Sequence, residues 1–249
     1  MSAKPLHPVI EQLIRDNPKF HHYSEEQVLK EKTHAAKFGY DLKPGVTSWA
    51  VHPDILRDMQ QWVSPASRTI ETGCGHTTVA LSSLATHHIC VTLDKRSCRA
   101  VEAYMDGKGL SRKNLSFMEE SSETALPKLS LADKLDFAYI DGCHGYPFPA
   151  LDWYFIDKHL KVGGVMAFDN TEIPTVKYHC DFLDVNRSYT LMQTLTFKDW
   201  GGYSVQFYRK ERDEEPEWDF QAFNQTKWRP PRSRSLFTAI ARRALSVWR

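Results

Sequence analysis

The sequence predicts an α/β fold in which helices cover both faces of a doubly wound, mostly parallel sheet. Three observations predict it. Strand-type segments alternate with helical stretches between residues 68 and 168, and this order is typical of βαβ units. A glycine-bearing loop directly follows the first of these strands. The last two strand-type runs are joined by a turn too short for a helical crossover, which predicts an antiparallel ending.

The composition is that of one globular domain with appended segments. Of the 249 residues, 41% are hydrophobic and 25% are charged, which suits a sizeable core. The 32 basic residues nearly balance the 31 acidic ones, so nothing favours a nucleic-acid partner. Five cysteines without CxxC spacing argue against a disulfide framework or a thiolate zinc site. With no signal-peptide stretch and no apolar run of about 20 residues, we expect a cytoplasmic protein.

The elements follow in order from the amino terminus. Apolar residues recur at helical spacing between Pro8 and about Lys37, with Ser24 as a candidate cap, and predict an N-terminal helical segment over residues 1–44. The domain proper is expected over residues 45–210. Its predicted helices cover 53–62, 77–85, 97–108, 122–129 and 148–160, and its predicted strands cover 68–72, 88–93, 115–118, 135–140, 164–168, 189–197 and 203–209.

Residues 211–249 form a tail in which charge is strongly segregated. Residues 211–219 contain six acidic residues and one arginine, whereas residues 227–249 contain one lysine, six arginines and no acidic residue. Leu236, Ile240, Leu245 and Trp248 can share one helical face. This amphipathic basic pattern fits a membrane surface. Packing against the domain or against a second protomer, in a homo-oligomer, is the more common role of such a segment.

The strongest motif is a glycine pair at the carboxyl end of the first strand of the alternating pattern. Gly73 and Gly75 permit positive φ and a close approach of a ligand to the backbone. Open parallel sheets bind ligands at this place. Thr78 stands where a third glycine would complete GxGxxG, which disfavours a dinucleotide.

An acidic residue, Asp94, follows the next strand about 20 residues after the glycine loop. Its carboxylate can accept hydrogen bonds from ribose hydroxyls. It can equally cap the helix that begins beside it.

Residues 71–77, Glu-Thr-Gly-Cys-Gly-His-Thr, together with Asp94, resemble the cofactor loop and ribose acid of class I S-adenosylmethionine-dependent methyltransferases. The resemblance covers about residues 45–210. It implies a Rossmann-like sheet of about seven strands whose last strand is antiparallel. It also implies that Glu71 and Thr77 lie near the methionine portion of the cofactor. Glu120, Ser121 and Ser122 would border the adenine, although Glu120 and Ser121 could equally begin the next helix.

A second group of polar residues follows two later strands. Asp141 and His144 lie three residues apart after one strand, and Asp169 and Asn170 follow the next. Because parallel neighbours end at the same sheet edge, Asp141, Asp169 and Asn170 should converge there. Two carboxylates and an amide oxygen are hard ligands, for which magnesium is the natural metal.

The pattern Asp-Gly-x-His-x-Tyr from Asp141, followed by Asp152, Gly163-Gly164 and Asp169-Asn170, is similar to macrocin-type sugar O-methyltransferases and, more distantly, to catechol-type enzymes. This similarity implies a divalent ion that orients the acceptor oxygen. His144 stands where the catechol-type enzymes have a basic lysine, which implies the role of general base. A loop histidine can also bond the backbone or bind the metal. Asp141 could contact the cofactor or substrate even without metal.

We therefore expect metal-assisted O-methylation of a hydroxyl on a small molecule such as a sugar or glycoside. An NAD-linked oxidoreductase is disfavoured by Thr78 and by the antiparallel ending. A noncatalytic partner protein of the same fold is disfavoured by the joint presence of Asp141, His144, Asp169 and Asn170. The histidine pairs 21–22 and 87–88 are expected at the surface.

Overall fold

The structure is a computed structural model that describes residues 5–23, 25–26, 28–29, 45–47, 49–185 and 188–213. The chain divides into a compact unit of residues 1–214 and a second unit of residues 215–249. The expectations for the basic tail and for the helical pattern at residues 30–44 lie outside the described residues. The three-part division made from the sequence stays a prediction.

A seven-stranded sheet forms the centre of the first unit, as the sequence predicts. Its order is β5-β4-β3-β6-β7-β9-β8, and β9 runs antiparallel to both of its neighbours while the first five strands of that order are mutually parallel. The strands are β3 (Arg68–Thr72), β4 (His87–Val91), β5 (Leu115–Met118), β6 (Leu135–Ile140), β7 (Leu160–Phe168), β8 (Tyr189–Phe197) and β9 (Tyr203–Lys210).

Helices cover both faces of this sheet, which confirms the doubly wound architecture. The helices α1 (Pro8–Asp16), α2 (Pro53–Trp62), α3 (His76–Leu84) and α4 (Lys95–Gly107) contribute to the apolar core of one face. The other face is covered by α5 (Ser122–Ala125) with the 3-10 turn Leu126–Lys128, by α6 (Phe148–Asp157) and by α7 (Pro174–Val185). Within the described residues, no helix has the length and apolar character that a membrane span requires.

Two features were not predicted from the sequence. A short strand β1 (His21–Tyr23) pairs antiparallel with β2 (Gly45–Thr47) in the segment expected to be helical. Helix α7 fills the interval between β7 and β8, for which no element was predicted. Its signal was present, since a proline opens it and its buried residues recur at helical spacing: Val176, His179, Cys180 and Leu183.

The strand register brings the carboxyl ends of the parallel strands to one edge. Thr72 is paired with Val91 on one side and with Ile140 on the other, and Ile140 is paired with Phe168. The loops that follow these residues therefore begin side by side. They carry the glycine motif, Asp94, Asp141 and Asp169.

Burial of His179 makes stability depend on pH. Its ring lies among Trp153, Phe168 and Phe182, and burial lowers its pKa from 6.5 to about 4. Between these values the unfolded chain binds a proton that the folded chain does not, so this contribution is complete above pH 6.5 and is lost as pH falls toward 4.

Between pH 7 and pH 4, the unfolding free energy of the wild type should fall by roughly 3 kcal/mol more than that of His179→Phe. Urea unfolding of both proteins across this range measures the difference. Carboxylates titrate in both proteins, so the wild type serves as the control for them. If the unfolding free energies of the two proteins changed equally with pH, His179 would not be the source of this pH dependence.

Candidate active site

The glycine loop lies directly against the loop that follows β6. Gly73 has a φ of 93°, in the region that favours glycine. A Cβ atom at this position would come within 3.0 Å of the carbonyl carbon of Asp141 and closer still to its oxygen. The Gly73 amide also donates to the Val91 carbonyl at 3.0 Å. The two motifs found in the sequence are thus in backbone contact.

A buried carboxylate supports the glycine loop from below. Glu71 has no exposed surface. One of its oxygens accepts a hydrogen bond from the Thr77 hydroxyl at 2.5 Å, and the other accepts one from the Thr78 hydroxyl. The amide of Gly75 donates to the Thr78 hydroxyl at 2.9 Å. Glu71 therefore acts on the loop through its threonines, and the predicted closeness of Glu71 and Thr77 to the methionine portion stays a prediction.

His88 completes this network and corrects the expectation that it lies at the surface. It is fully buried. Its Nε2 lies 3.1 Å from Glu71 Oε1, and its Nδ1 lies 2.8 Å from the Thr69 hydroxyl. The alternation of β4 carried the missed signal, because His88 shares a face with Cys90 and both side chains are buried on the side of α3.

Asp94 caps helix α4, which is one of its two predicted roles. Its Oδ1 accepts hydrogen bonds from the amides of Arg96 at 3.0 Å and Ser97 at 3.3 Å. Its Oδ2 accepts one from the Ser97 hydroxyl at 2.6 Å. A carboxylate has further lone pairs, so the cap leaves room for the predicted ribose role.

The three residues predicted to border the adenine lie after β5. Glu120 is exposed and forms an ion pair with Lys128 at 2.6 Å. Ser121 is the N-cap residue of α5, and its hydroxyl donates to Thr124 at 3.1 Å. Ser122 is the first residue of that helix and is partly buried. Ser121 thus begins the helix, while its hydroxyl bonds the Thr124 side chain and no backbone amide. The adenine contacts stay a prediction.

Asp141, His144 and Asp169 converge above the ends of β6 and β7. One ligand atom from each lies within 4.8 Å of the other two. His144 Nε2 lies 3.4 Å from Asp141 Oδ1, yet this buried nitrogen forms no hydrogen bond within the described residues. The sequence grouped the two aspartates with Asn170, whereas the structure groups them with His144.

Asn170 adopts a left-handed backbone conformation with a φ of 53°. Its side-chain amide nitrogen donates to Glu172 at 2.9 Å. This bond fixes the amide group but leaves its oxygen available. The predicted role of Asn170 as a metal ligand stays a prediction.

Two tyrosines that the sequence analysis did not single out orient Asp169. The hydroxyls of Tyr139 and Tyr203 donate to the same oxygen, Oδ1, at 2.8 Å and 2.5 Å. The signal for Tyr139 was its place in an otherwise apolar strand, since a buried tyrosine hydroxyl requires a partner. Tyr203 comes from the antiparallel strand β9, and its approach to Asp169 depends on the tertiary fold.

Burial sets the protonation of this group. It raises the pKa of Asp141 to about 7, and a hydrogen bond with Asp169 partly offsets the rise. Burial, reinforced by the neighbouring Asp141, raises the pKa of Asp169 well above its ordinary value. Burial lowers the pKa of His144, although the charge of Asp169 opposes this. Burial thus shifts all three groups toward their neutral forms, although Asp141 still ionises near pH 7.

Asp152 is a further buried carboxyl, on α6. It is 1% exposed, and burial raises its pKa to about 6. A Cβ atom at Gly142 would lie 3.2 Å from Asp152 Oδ2 and 3.1 Å from the Thr72 hydroxyl. Gly142 thus allows the loop after β6 to pass close to these two side chains.

We expect Glu71→Gln to weaken cofactor binding. An amide offers one acceptor oxygen where Glu71 offers two, so a buried donor loses its partner, at a cost of about 1–3 kcal/mol in unfolding free energy. The loosened loop should bind S-adenosylhomocysteine roughly tenfold more weakly, which corresponds to about 1.4 kcal/mol. Urea unfolding and calorimetry measure the two effects. The matched control is Glu11→Gln on the exposed face of α1, and wild-type values for Glu71→Gln would exclude a supporting role.

Comparisons with known proteins bear on the family of this domain. Residues 70–171, which include both loops, match the family model described as a methyltransferase domain. A search of curated protein sequences found no match.

Solved structures share the fold at low sequence identity. An O-methyltransferase from Bacillus cereus in complex with S-adenosylhomocysteine has a TM-score of 0.59 and 14% identity, covering 84% of this chain and 94% of its own. The O-methyltransferase TomG from Streptomyces achromogenes, in complex with S-adenosylmethionine, has a TM-score of 0.56 and 14% identity, covering 85% and 100%. An rRNA methylase from Streptococcus thermophilus has a TM-score of 0.52 and 13% identity, covering 64% and 95%. Residues 70–171 thus match a methyltransferase domain, and the fold and the glycine loop support a class I S-adenosylmethionine-dependent methyltransferase.

Proposed function

We propose that this methyltransferase transfers the methyl group of S-adenosylmethionine to a hydroxyl oxygen of a small molecule. The observation that carries the proposal is the convergence of Asp141, His144 and Asp169 within 4.8 Å, with the backbone of Asp141 directly against Gly73. A sugar or glycoside is the favoured acceptor because of the similarity to macrocin-type enzymes.

Methyl transfer depends more on aligning the donor with the acceptor oxygen than on activating the donor. The sulfonium is already an activated methyl donor, so the protein has to hold the acceptor oxygen in line with it and to accept the hydroxyl proton. The glycine loop and Asp141 follow adjacent parallel strands, and Gly73 therefore approaches the backbone of Asp141 closely. A hydroxyl held near Asp141 would thus be close to the methionine end of the cofactor.

The polar group is chemically suited to a divalent metal. His144 Nε2 and Asp141 Oδ1 lie 3.4 Å apart without bonding each other, as two ligands of a common cation do. Asp141, Asp169 and either Asn170 or His144 would hold the ion. A set that includes Asn170 suits magnesium, whereas one that includes His144 suits manganese or zinc better. Such an ion would orient the acceptor hydroxyl and lower the pKa of that hydroxyl.

His144 is the proposed general base. Burial lowers its pKa, so its ring stays neutral at neutral pH and keeps a lone pair for the acceptor proton. The nitrogen that receives a proton cannot bind a metal at the same time, so the base and ligand roles of Nε2 exclude each other. Tyr139 and Tyr203 act through Asp169, because their hydroxyls hold its Oδ1 in place.

Charge and resemblance favour a small-molecule acceptor. TomG is described as taking part in tomaymycin synthesis, whereas another protein of this fold is an rRNA methylase. Fold similarity alone therefore does not select the acceptor. The near balance of 32 basic and 31 acidic residues favours a small molecule over a nucleic acid.

Asp169→Ala tests the metal proposal. We expect loss of metal-dependent methyl transfer with S-adenosylhomocysteine affinity within about threefold of wild type, or about 0.7 kcal/mol, because Asp169 lies on the acceptor side. Calorimetry measures cofactor and metal binding, and a labelled-methyl assay over a panel of hydroxylated acceptors measures turnover. Asp199→Ala, at an exposed position between β8 and β9, is the matched control. Full activity of Asp169→Ala in the presence of EDTA would remove the metal from the proposal.

His144→Ala separates the two roles of the imidazole. We expect kcat to fall by about 10²–10⁴-fold while the metal affinity is retained, since general-base catalysis contributes that much. The wild-type rate should fall as the pH drops through the pKa of His144, and the variant should lack this limb. Recovery of the rate at higher metal concentration would instead assign His144 as a ligand.

A further inference from the structure

His21, from the amino-terminal segment, lies at the glycine loop. A Cβ atom built at Gly75 would be 3.4 Å from His21 Nε2, so the ring lies beside the N-cap residue of helix α3. The same ring lies near Asp94, whose charge acts on it. His21 was expected at the surface, whereas its half-buried ring lies between the two sequence motifs.

Ser97 connects His21 to Asp94. Its hydroxyl oxygen lies 2.6 Å from Asp94 Oδ2, 3.1 Å from His21 Nδ1 and 3.0 Å from the carbonyl oxygen of Phe20. The carboxylate and the carbonyl can only accept, so the single hydroxyl proton goes to one of them. The hydroxyl then accepts a hydrogen bond from Nδ1–H of His21. This tautomer leaves Nε2 as a hydrogen-bond acceptor facing the loop.

The protonation of His21 agrees with this arrangement. Burial lowers its pKa, with the charge of Asp94 as a smaller opposing influence. The ring is therefore neutral near pH 7. A neutral ring in this tautomer has Nδ1 engaged by Ser97 and keeps the lone pair of Nε2 as a hydrogen-bond acceptor.

His21 is not needed to hold its own strand in place. The preceding residue, Phe20, is buried and packs edge-on against His76, with the ring centroids 5.0 Å apart, and against Tyr104 at 5.7 Å. Shortening the side chain of His21 should thus leave β1 in position.

We propose that His21 is a second ribose-binding residue of the cofactor site. Its Nε2 accepts a hydrogen bond from one hydroxyl of the ribose diol, and Asp94 accepts one from the other. The inference rests on the ribose role of Asp94. It places a binding residue outside residues 70–171, the part that matches the methyltransferase family, and so gives the amino-terminal segment a part in cofactor recognition.

Calorimetry on the full chain tests the proposal with S-adenosylhomocysteine and with its 2′-deoxy and 3′-deoxy analogues. His21→Ala should bind S-adenosylhomocysteine about tenfold more weakly than wild type does. One of the two analogues should bind wild type about tenfold more weakly than the parent compound and lose nothing further on His21→Ala. His21→Gln, which keeps an acceptor, should recover part of the affinity.

The controls separate this role from a structural one. His87→Ala, at the amino end of β4 and thus at the opposite edge of the sheet, should bind all three compounds as wild type does. Wild-type affinity of His21→Ala for S-adenosylhomocysteine would overturn the proposal. An equal loss for the parent compound and both analogues would also overturn it, since that pattern indicates a disturbed loop.

Asp94→Asn makes the two possible failures distinguishable. If it binds the three compounds as wild type does, the ribose role of Asp94 fails and the proposed pair with it. If Asp94→Asn loses affinity for the parent compound and not for one deoxy analogue, while His21→Ala behaves as wild type, only the inference about His21 fails.

Discussion

The close contact between Gly73 and the backbone of Asp141 is the constraint on which the site depends. There is no room for a side chain at Gly73, because the loops after β3 and β6 begin at paired residues of adjacent parallel strands. This contact brings the cofactor loop and the acceptor residues to one place. The position of Asp141 beside the glycine loop follows from it.

Buried polar networks then fix the two sides of this contact. At the glycine loop, Glu71 accepts hydrogen bonds from the hydroxyls of Thr77 and Thr78 and contacts the imidazole of His88. After β7, Asp169 accepts hydrogen bonds from the hydroxyls of Tyr139 and Tyr203. In each case a carboxylate without bulk solvent is held by several donors, which restricts it to one orientation. The side chains expected to meet the ligands are therefore supported by residues that need not touch them.

Two histidines lie deeper in the fold than the sequence predicts. His88 and His21 were expected at the surface because histidine in short polar runs is mostly exposed. His88 is instead fully buried, and His21 lies against Gly75. Their partners are 17 and 76 residues away in the chain, as the separations of Glu71 from His88 and of His21 from Ser97 show. No periodicity within a short window reports a contact over such distances.

The sequence by itself determined the α/β class, the strand limits within a few residues and the two loops at the carboxyl ends. These are local properties, since hydrophobic period, turn residues and glycine positions act within a few residues of the chain. Only the tertiary structure decided that His144 joins Asp141 and Asp169, that β9 supplies Tyr203 and that β1 reaches the glycine loop. Those choices depend on how distant segments pack, because side-chain positions in a cluster follow from the register and direction of strands far apart in the chain.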